Sequence, residues 1–517
     1  MRAVGAALVI ALSVSRGADL IRVQAPVPLP FEDLVSLASE DPAPQDVEAR
    51  LNALRSEPFI SNEATLTGAK PLAPDPPGMA NILRIAEWNI NRENKEDIAT
   101  ALSDWHAYQA LALQNLNLKP TDLARAVEEA QHLEQADVIV LNEVDYGVKR
   151  TGYRNVAGDL AARLHMNYVF ATEFIELTPI YLGVQKMDVT DVGRQKTVSE
   201  QYGVDPQRYL GLEGSALLSR YPILSARIVS LPDAYDWYKG EIGAISDLTK
   251  AHKWTAQKVF DERLKRQVRR GGRIMIVAEL QVPGSKSGVL TIVCPHLEDY
   301  SGSKGRRKQI DFVLNQIKTI PGPVVVAGDM NTMGHNGAPV TGRRLVKGYL
   351  LNYRFWFRQV AYFFLPVPGV SYGISAINYF KNFHDPTAAS IPVFASNHER
   401  GLFTDLSEFQ FDDGGRFYWA GRKKDSYDRK GRTLSVTNER TWKGFTPTFE
   451  FARTYHGIFG AYKLDWILVK EPSEFRPFQG RTLRLLNQAV VPRISDHSPT
   501  TLDLDLGSTE PETKAAQ

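Results

Sequence analysis

The sequence has one cysteine, Cys294, in 517 residues. An intramolecular disulfide is therefore excluded, and so is a zinc site built from cysteines. The sequence also lacks a charge imbalance: 61 lysines and arginines stand against 59 acids, a formal net charge of +2. Neither a basic balance nor an acidic tail points to nucleic acid by charge alone. The apolar run behind Arg2, from Ala3 to Val14, is too short to span a bilayer, which takes roughly 20 residues.

That run does have the layout of a secretory signal peptide. Small residues follow it at Ser15-Arg16-Gly17-Ala18, so residues 1–18 are expected to be a signal peptide and the protein secreted or periplasmic. The other reading is an ordinary buried N-terminal segment. The absence of disulfides does not argue against export, because a large core holds without them. A hydrophobic content of 43% and a charged content of 23% are ordinary for a globular protein. The length fits one large domain with an insertion, or two domains.

Residues 19–80 form a proline-rich leader, with prolines at 26, 28, 30, 42, 44, 58, 71, 74, 76 and 77. One amphipathic helix fits between them, Gln45 to Ser56, with Val47, Leu51 and Leu54 on one face. The leader is expected to pack on the main domain or tether it. The folded domain begins at Asn81. Ile82 to Ile90 reads as a half-buried strand, Lys95–Asn115 and Thr121–Gln135 as helical stretches, and Ala136–Leu141 as an apolar strand running into Asn142-Glu143-Val144. Strand, helices, then a strand with an acid at its end is an α/β pattern. Gln185 to Asp205 reads as a surface loop. Arg263, Lys265, Arg266, Arg269, Arg270 and Arg273 are either a solvated helix face or a basic rim on a cleft for an anionic substrate.

The stretch around which the rest is organised is Val324-Val325-Val326-Ala327-Gly328-Asp329-Met330-Asn331-Thr332. Its apolar half reads as a buried strand. Asp329 and Asn331, at i and i+2 in an extended chain, project the same way. A carboxylate and an amide side by side suit a divalent cation, a polarised water or a phosphate oxygen. The same residues also suit a capped turn. After Asn331 the alternation stops. Residues 341–460 are dense in aromatics and glycines, without a repeat or a low-complexity tract. This is expected to be an insertion, either a hydrophobic subdomain core or a surface that makes peripheral contact with a membrane. Strands resume at Lys463–Val469 and Thr500–Leu506, and the polar tail 507–517 is expected to be disordered.

Polar residues collect at the ends of these apolar strands: Asn89, Glu143, His296, Asp329, Asn331, Asp465, Asp496 and His497. Sheets set strand ends side by side, so a common cleft follows. Oxygen ligands such as Glu143 and Asp496 fit Mg2+, and imidazoles bind or protonate phosphoryl oxygens. No residue stands out as a covalent nucleophile with its base, which leaves water as the attacking group. The chemistry this set suits is hydrolysis of a phosphate ester.

W-N-I (88–90), L-N-E-V (141–144), A-L-L-S-R-Y-P-I (216–223), P-H-L (295–297), G-D-M-N-T (328–332), L-D-W-I-L (464–468) and S-D-H-S-P (495–499) occur in this order. In these motifs the chain resembles the endonuclease/exonuclease/phosphatase superfamily, the DNase I-like enzymes, over residues 81–506. The resemblance implies a four-layer α/β sandwich, two mixed β-sheets packed face to face with helices outside. It implies Glu143 as the principal Mg2+ ligand, with Mn2+ as a substitute, Asn89 within the metal and phosphate cluster, and Asp496 completing the metal shell. Asp329 would orient or deprotonate the attacking water, and Asn331 would stabilise the pentavalent phosphoryl group. His296 would contact the phosphate and serve the leaving group. Asp465 would hold His497 in its working tautomer, and His497 would bind the scissile phosphate. The substrate is expected to be a phosphoester, either a nucleic acid, a phospholipid or a sugar phosphate, with a diester favoured over a monoester and no obligate protein partner; the alternatives are a phosphomonoesterase of inositol or sugar phosphates and a non-catalytic binding module that keeps the fold. Three positions depart from the pattern. Asn142 stands where glutamine is common, Ser215 where a small amide residue is common, and Asn91 where abasic-site enzymes carry a metal-binding aspartate. The last speaks against DNA repair.

Overall fold

The structure is a computed structural model. It describes residues 20–74, 81–93, 97–184, 203–242, 267–283, 285, 287–332, 399–419, 433–434, 436–441, 444–450, 461–471 and 474–506. The expected signal peptide, the 185–202 part of the expected loop, most of the aromatic-rich insertion and the C-terminal tail lie outside these residues.

Two mixed sheets carry the fold. The first contains β1 (Val23–Gln24), β2 (Phe59–Ser61), β3 (Ile82–Asn89), β4 (Val138–Tyr146), β5 (Asn167–Glu176) and β6 (Leu212–Ser219). The second takes β7 (Ile223–Ser230), while β8 (Arg269–Gly271) returns to the first by pairing with β5. The second sheet continues with β9 (Ile274–Gln281), β10 (Val289–Pro295), β11 (Val324–Asp329) and β12 (Arg416–Tyr418). Five two-residue strands, β13 (Thr433–Leu434), β14 (Arg440–Thr441), β15 (Gly444–Phe445), β16 (Phe449–Glu450) and β17 (Ala461–Tyr462), form two small ribbons. β18 (Asp465–Glu471) belongs to the second sheet, and β19 (Arg476–Thr482) and β20 (Thr500–Asp505) belong to the first. The strand orders are β1-β2-β5-β6-β4-β3-β20-β19 and β12-β18-β11-β10-β9-β7. One parallel pair makes each sheet mixed, β3 with β4 and β10 with β11.

Alternation along the strands sorts side chains into three apolar layers. Leu83, Ile85, Val138 and Val140 of the first sheet meet Ile276, Ala278, Val325, Ala327, Ile467 and Val469 of the second in a shared inter-sheet core. The opposite face of the first sheet, with Ala86, Trp88, Ile139 and Leu141, packs against helices that include Pro120–Glu134 and Val156–Leu164. The outer face of the second sheet, with Val324, Val326, Trp466 and Leu468, packs on the helices Ser303–Ile317 and Arg400–Glu408. Helix, sheet, sheet, helix is the four-layer sandwich.

Several local expectations are refined. The stretch 95–115 is interrupted at Asp104, whose carboxylate caps a second helix by accepting from Ala107 N–H. The helix expected from Thr121 opens one residue earlier, on Pro120 at its first position. The basic stretch is not a solvated helix face in its described part. Arg269 and Arg270 lie in β8, and Arg269 and Arg273 are buried. The proline-rich leader contributes β1 and β2, and β2 pairs antiparallel with β5.

One buried ion pair joins β3 to β20, neighbouring strands of the first sheet. Arg84 Nε and Nη2 donate to Asp503 Oδ1 and Oδ2 at 2.6 and 2.9 Å, with side chains 4% and 0% exposed. Asp503→Ala leaves a buried guanidinium without its counter-charge. The expected result is a loss of about 3–5 kcal/mol in stability, read from urea unfolding. The double replacement Arg84→Met with Asp503→Leu is expected to recover most of that loss.

Candidate active site

The site lies along one edge of the sandwich, where strands of both sheets end. β3 and β4 bring Asn89, Asn142 and Glu143 from the first sheet, and β10, β11 and β18 bring His296, Asp329 and Asp465 from the second. Asp329 joins them. Its Oδ2 accepts from Asn89 Nδ2 at 3.0 Å, and its backbone N–H donates to Asn142 Oδ1 at 2.9 Å. Gly328 must lack a side chain, because a Cβ there would stand 2.1 Å from the Pro295 carbonyl oxygen of the neighbouring strand.

The D-x-N step is at once a site and a capped turn. β11 ends at Asp329, and Asn331 has a φ of +48°, so the two side chains do not share one face of an extended strand. Instead Asp329 Oδ1 accepts from Asn331 N–H at 2.8 Å, and Asn331 Nδ2 donates to the Leu297 carbonyl at 2.9 Å. The end of β3 repeats the device: Asn91, with a φ of +45°, donates its N–H to Asn89 Oδ1 at 3.0 Å. Glu143 also has a positive φ, +54°, and sits where the β4–β6 register shifts. This bulge turns its carboxylate out of the ladder, to where Oε1 lies 3.3 Å from Asn89 Nδ2.

Two carboxylate–imidazole pairs flank Asp329. His497 Nδ1 lies 3.0 and 2.9 Å from the two Asp465 oxygens, and His296 Nδ1 lies 3.0 Å from Glu173. Each ring presents Nε2 at 3.9 Å from Asp329 Oδ2. Burial opposes the charged form of His497, but Asp465 and then Asp329 outweigh it and hold the imidazole well above its usual range. His296 is raised in the same way, with Glu173 and Asp329 prevailing over burial and Arg273. Burial and the nearby Asp465 raise Asp329, while the two imidazoles restrain it. Asp465 and Glu173 are held below the usual carboxylate range, chiefly by their histidines against burial. For Glu143, burial is overcome by Arg92, with His296 and Arg273 adding to it, so the carboxyl is lowered.

The S-D-H loop is pinned from several sides. Ser495 Oγ donates to the Asn89 carbonyl at 2.8 Å, Trp88 Nε1 donates to the His497 carbonyl at 3.0 Å, and Asn487 Nδ2 donates to the Ser495 and His497 carbonyls. Asp496 stands beside the group rather than inside it. It is half-buried, with Oδ1 3.5 Å from Ser495 Oγ.

Glu173 and Arg273 belong to the site but escaped the motif reading. Arg273 Nη1 lies 3.0 Å from Glu173 Oε2 and 2.9 Å from the His296 ring, and its Nη2 donates to Asp299 Oδ1 at 2.9 Å. The available signal was an acid inside an otherwise apolar strand, Tyr168-Val169-Phe170-Ala171-Thr172-Glu173-Phe174-Ile175, where an unpaired charge does not belong. Asn142 and Ser215, two of the departures noted above, touch each other: Asn142 Nδ2 donates to Ser215 Oγ at 2.8 Å, and Ser215 Oγ donates to Glu173 Oε1 at 2.5 Å. The changes at the two positions meet in one contact and support His296.

Two residue sets are candidates for a metal. Among the described residues, Asp329, Asp465 and His497 bring ligand atoms within 4.8 Å of one another, a set that could hold an ion. Both Asp465 oxygens are engaged by His497, however, whose imidazole is held well above its usual range. The other set centres on Glu143, whose side chain is 23% exposed, whereas those of Asp329 and Asp465 are 1% and 0% exposed. Its closest cation is Arg92 at 3.8 Å, which leaves lone pairs open to an incoming ion.

A histidine raised by its partner stabilises the fold fully below its unfolded value near 6.5, and that increment is lost as pH rises through the folded value. Asp465→Asn removes the main cause of the rise. The His497 ring, followed by NMR, is expected to titrate lower in the variant. Between neutral and alkaline pH, the thermal midpoint of the variant should fall less than that of the wild type.

The chain matches the model of the Endonuclease/Exonuclease/phosphatase family over residues 86–497. No curated protein matches it. Similar solved structures include an endonuclease/exonuclease/phosphatase from Beutenbergia cavernae DSM 12333, at 16% identity and a TM-score of 0.37, covering 83% of this chain and 72% of that one. Two others are the human Nocturnin catalytic domain (13%, 0.35, 82% and 93%) and the Bacteroides thetaiotaomicron mannosyl-6-phosphatase (12%, 0.33, 82% and 99%). At these values the likeness says nothing about what this chain acts on. The family match covers most of the chain and all eight strand-end residues, and the chain belongs to the endonuclease/exonuclease/phosphatase family, whose members are metal-dependent phosphoester hydrolases.

Proposed function

We propose that the protein is a Mg2+-dependent phosphodiesterase that uses water as its nucleophile. The observation that carries this reading is the convergence of two acid-backed imidazoles, His296 and His497, on one buried carboxylate, Asp329, at 3.9 Å each. Two imidazoles, each raised by its acid partner, make a seat for an anionic phosphoryl group, and a carboxylate between them is placed to accept a proton.

In this reading Asp329 orients the water and takes its proton as the new oxygen–phosphorus bond forms. The bond from phosphorus to the leaving oxygen breaks, and that oxygen takes a proton from His296. His497 holds a phosphoryl oxygen, with its ring fixed by Asp465 at Nδ1. Asn331 faces the phosphoryl group with the part of its amide not used by Leu297. Glu143, with Asn89 and Asp496, would hold the ion, which supplies Lewis-acid polarisation of a phosphoryl oxygen. The arrangement of Arg2, the apolar Ala3–Val14 and the small residues after it supports export as part of the same proposal.

The test compares a generic soluble phosphodiester with a phosphomonoester, each with and without Mg2+. Cleavage of the diester that needs the metal is expected. His497→Ala should lower kcat by about 10²–10⁴. Glu143→Gln should abolish the rise in thermal midpoint that Mg2+ gives the wild type. Cleavage of the monoester alone would move the assignment to sugar or inositol phosphates. Full activity in both variants would remove the mechanism.

A further inference from the structure

We infer that the site-bearing edge of the sandwich docks on a lipid bilayer through three exposed apolar side chains, Leu113, Leu116 and Val491. Their exposures are 58%, 95% and 58%. The two loops that carry them are joined, since Asn115 Nδ2 donates to the Ala489 carbonyl at 2.9 Å.

Topology places both loops beside the site. β3 runs to the site edge at Asn89, and β4, parallel to it, starts from the far edge at Val138. The helix Pro120–Glu134 leads directly into β4, so its C-terminus lies at the far edge. A 15-residue helix is about as long as the strands it covers, which returns Pro120, and the loop just before it, to the site edge. Val491 is four positions before Ser495, whose hydroxyl is bonded to Asn89.

The chemistry of this rim favours a bilayer over a protein. Gln114, Asn115 and Asn117 separate the leucines, so the apolar groups are single prongs rather than a flat contiguous patch. A stable protein interface buries about 800 Å² on each partner with matched shape. Isolated prongs on a polar loop need no matching surface when they enter the headgroup boundary. Lys119 and Arg125 are exposed in the first turns of the following helix, with Asp122 half-buried between them, and Arg493, half-exposed two residues after Val491, donates to the Glu450 carbonyl. That positive fringe complements anionic headgroups. The inference rests on the proposed phosphoesterase site only for its meaning: a membrane against this edge would bring lipid phosphates to Asp329.

The test is co-sedimentation of the full chain with vesicles of phosphatidylcholine plus phosphatidylglycerol, and with phosphatidylcholine alone. The wild type is expected to sediment with the anionic vesicles, less so as salt rises. Leu116→Asp combined with Val491→Asp is expected to weaken binding by about tenfold or more, with thermal midpoint and soluble-diester hydrolysis unchanged. Comparing two full chains cancels any contribution from Ala3–Val14. A wild type that stays in solution, or a variant that sediments equally well, overturns the inference. So does a change of oligomeric size in the variant with vesicle binding unaltered, which would make the rim a contact between copies. If vesicle binding is lost in the variant but the wild type cleaves no diester, the docking surface stands and the catalytic reading falls.

Discussion

The structure depends on the bonds that cross from one sheet to the other at Asp329. Its backbone N–H reaches Asn142, its carboxylate reaches Asn89, and both partners come from the opposite sheet. Apolar packing between the sheets is strong but not directional, and by itself it would tolerate sliding. These two bonds fix the lateral position of β11 against β3 and β4. The imidazoles can sit at matched distances from one carboxylate only because that position is fixed. Fold and site are thus held by the same atoms.

Around this centre the charge is buried to an unusual degree. Arg273, Glu173 and His296 are all within 1–2% exposure, and Arg269 and Glu213 form another buried pair nearby. Burying ions is unfavourable unless each finds partners, and mutual pairing satisfies most of them here. The arrangement makes the histidines good cations without leaving them in water. Two of the described arginines of the basic stretch serve as counter-ions inside the fold, Arg269 for Glu213 on β6 and Arg273 for Glu173 on β5, while Arg270 lies 3.6 Å from Asp41 of the leader.

The sheets were legible because strands buried on both faces, such as 324–327, and alternating ones, such as 82–90, carry their own period. The eight motif residues stood out in the sequence because they sit where that period breaks. The geometry of Asp329 and Asn331 was not. An i, i+2 argument assumes an extended chain, and the chain turns left-handed at Asn331 to cap itself. Glu173 was missed because its meaning depends on Arg273, a hundred positions away, and no local pattern records that pairing. Asn142 and Ser215 looked like unrelated departures for the same reason.

The leader has a use that its proline content concealed. Asn62 donates its N–H to the Arg22 carbonyl and its amide to the Ile21 carbonyl, and β1 then lies along β2 at the margin of the first sheet. Those carbonyls belong to the residues just before β1. Loss of β1 would leave β2 as a bare margin able to recruit a strand from another molecule.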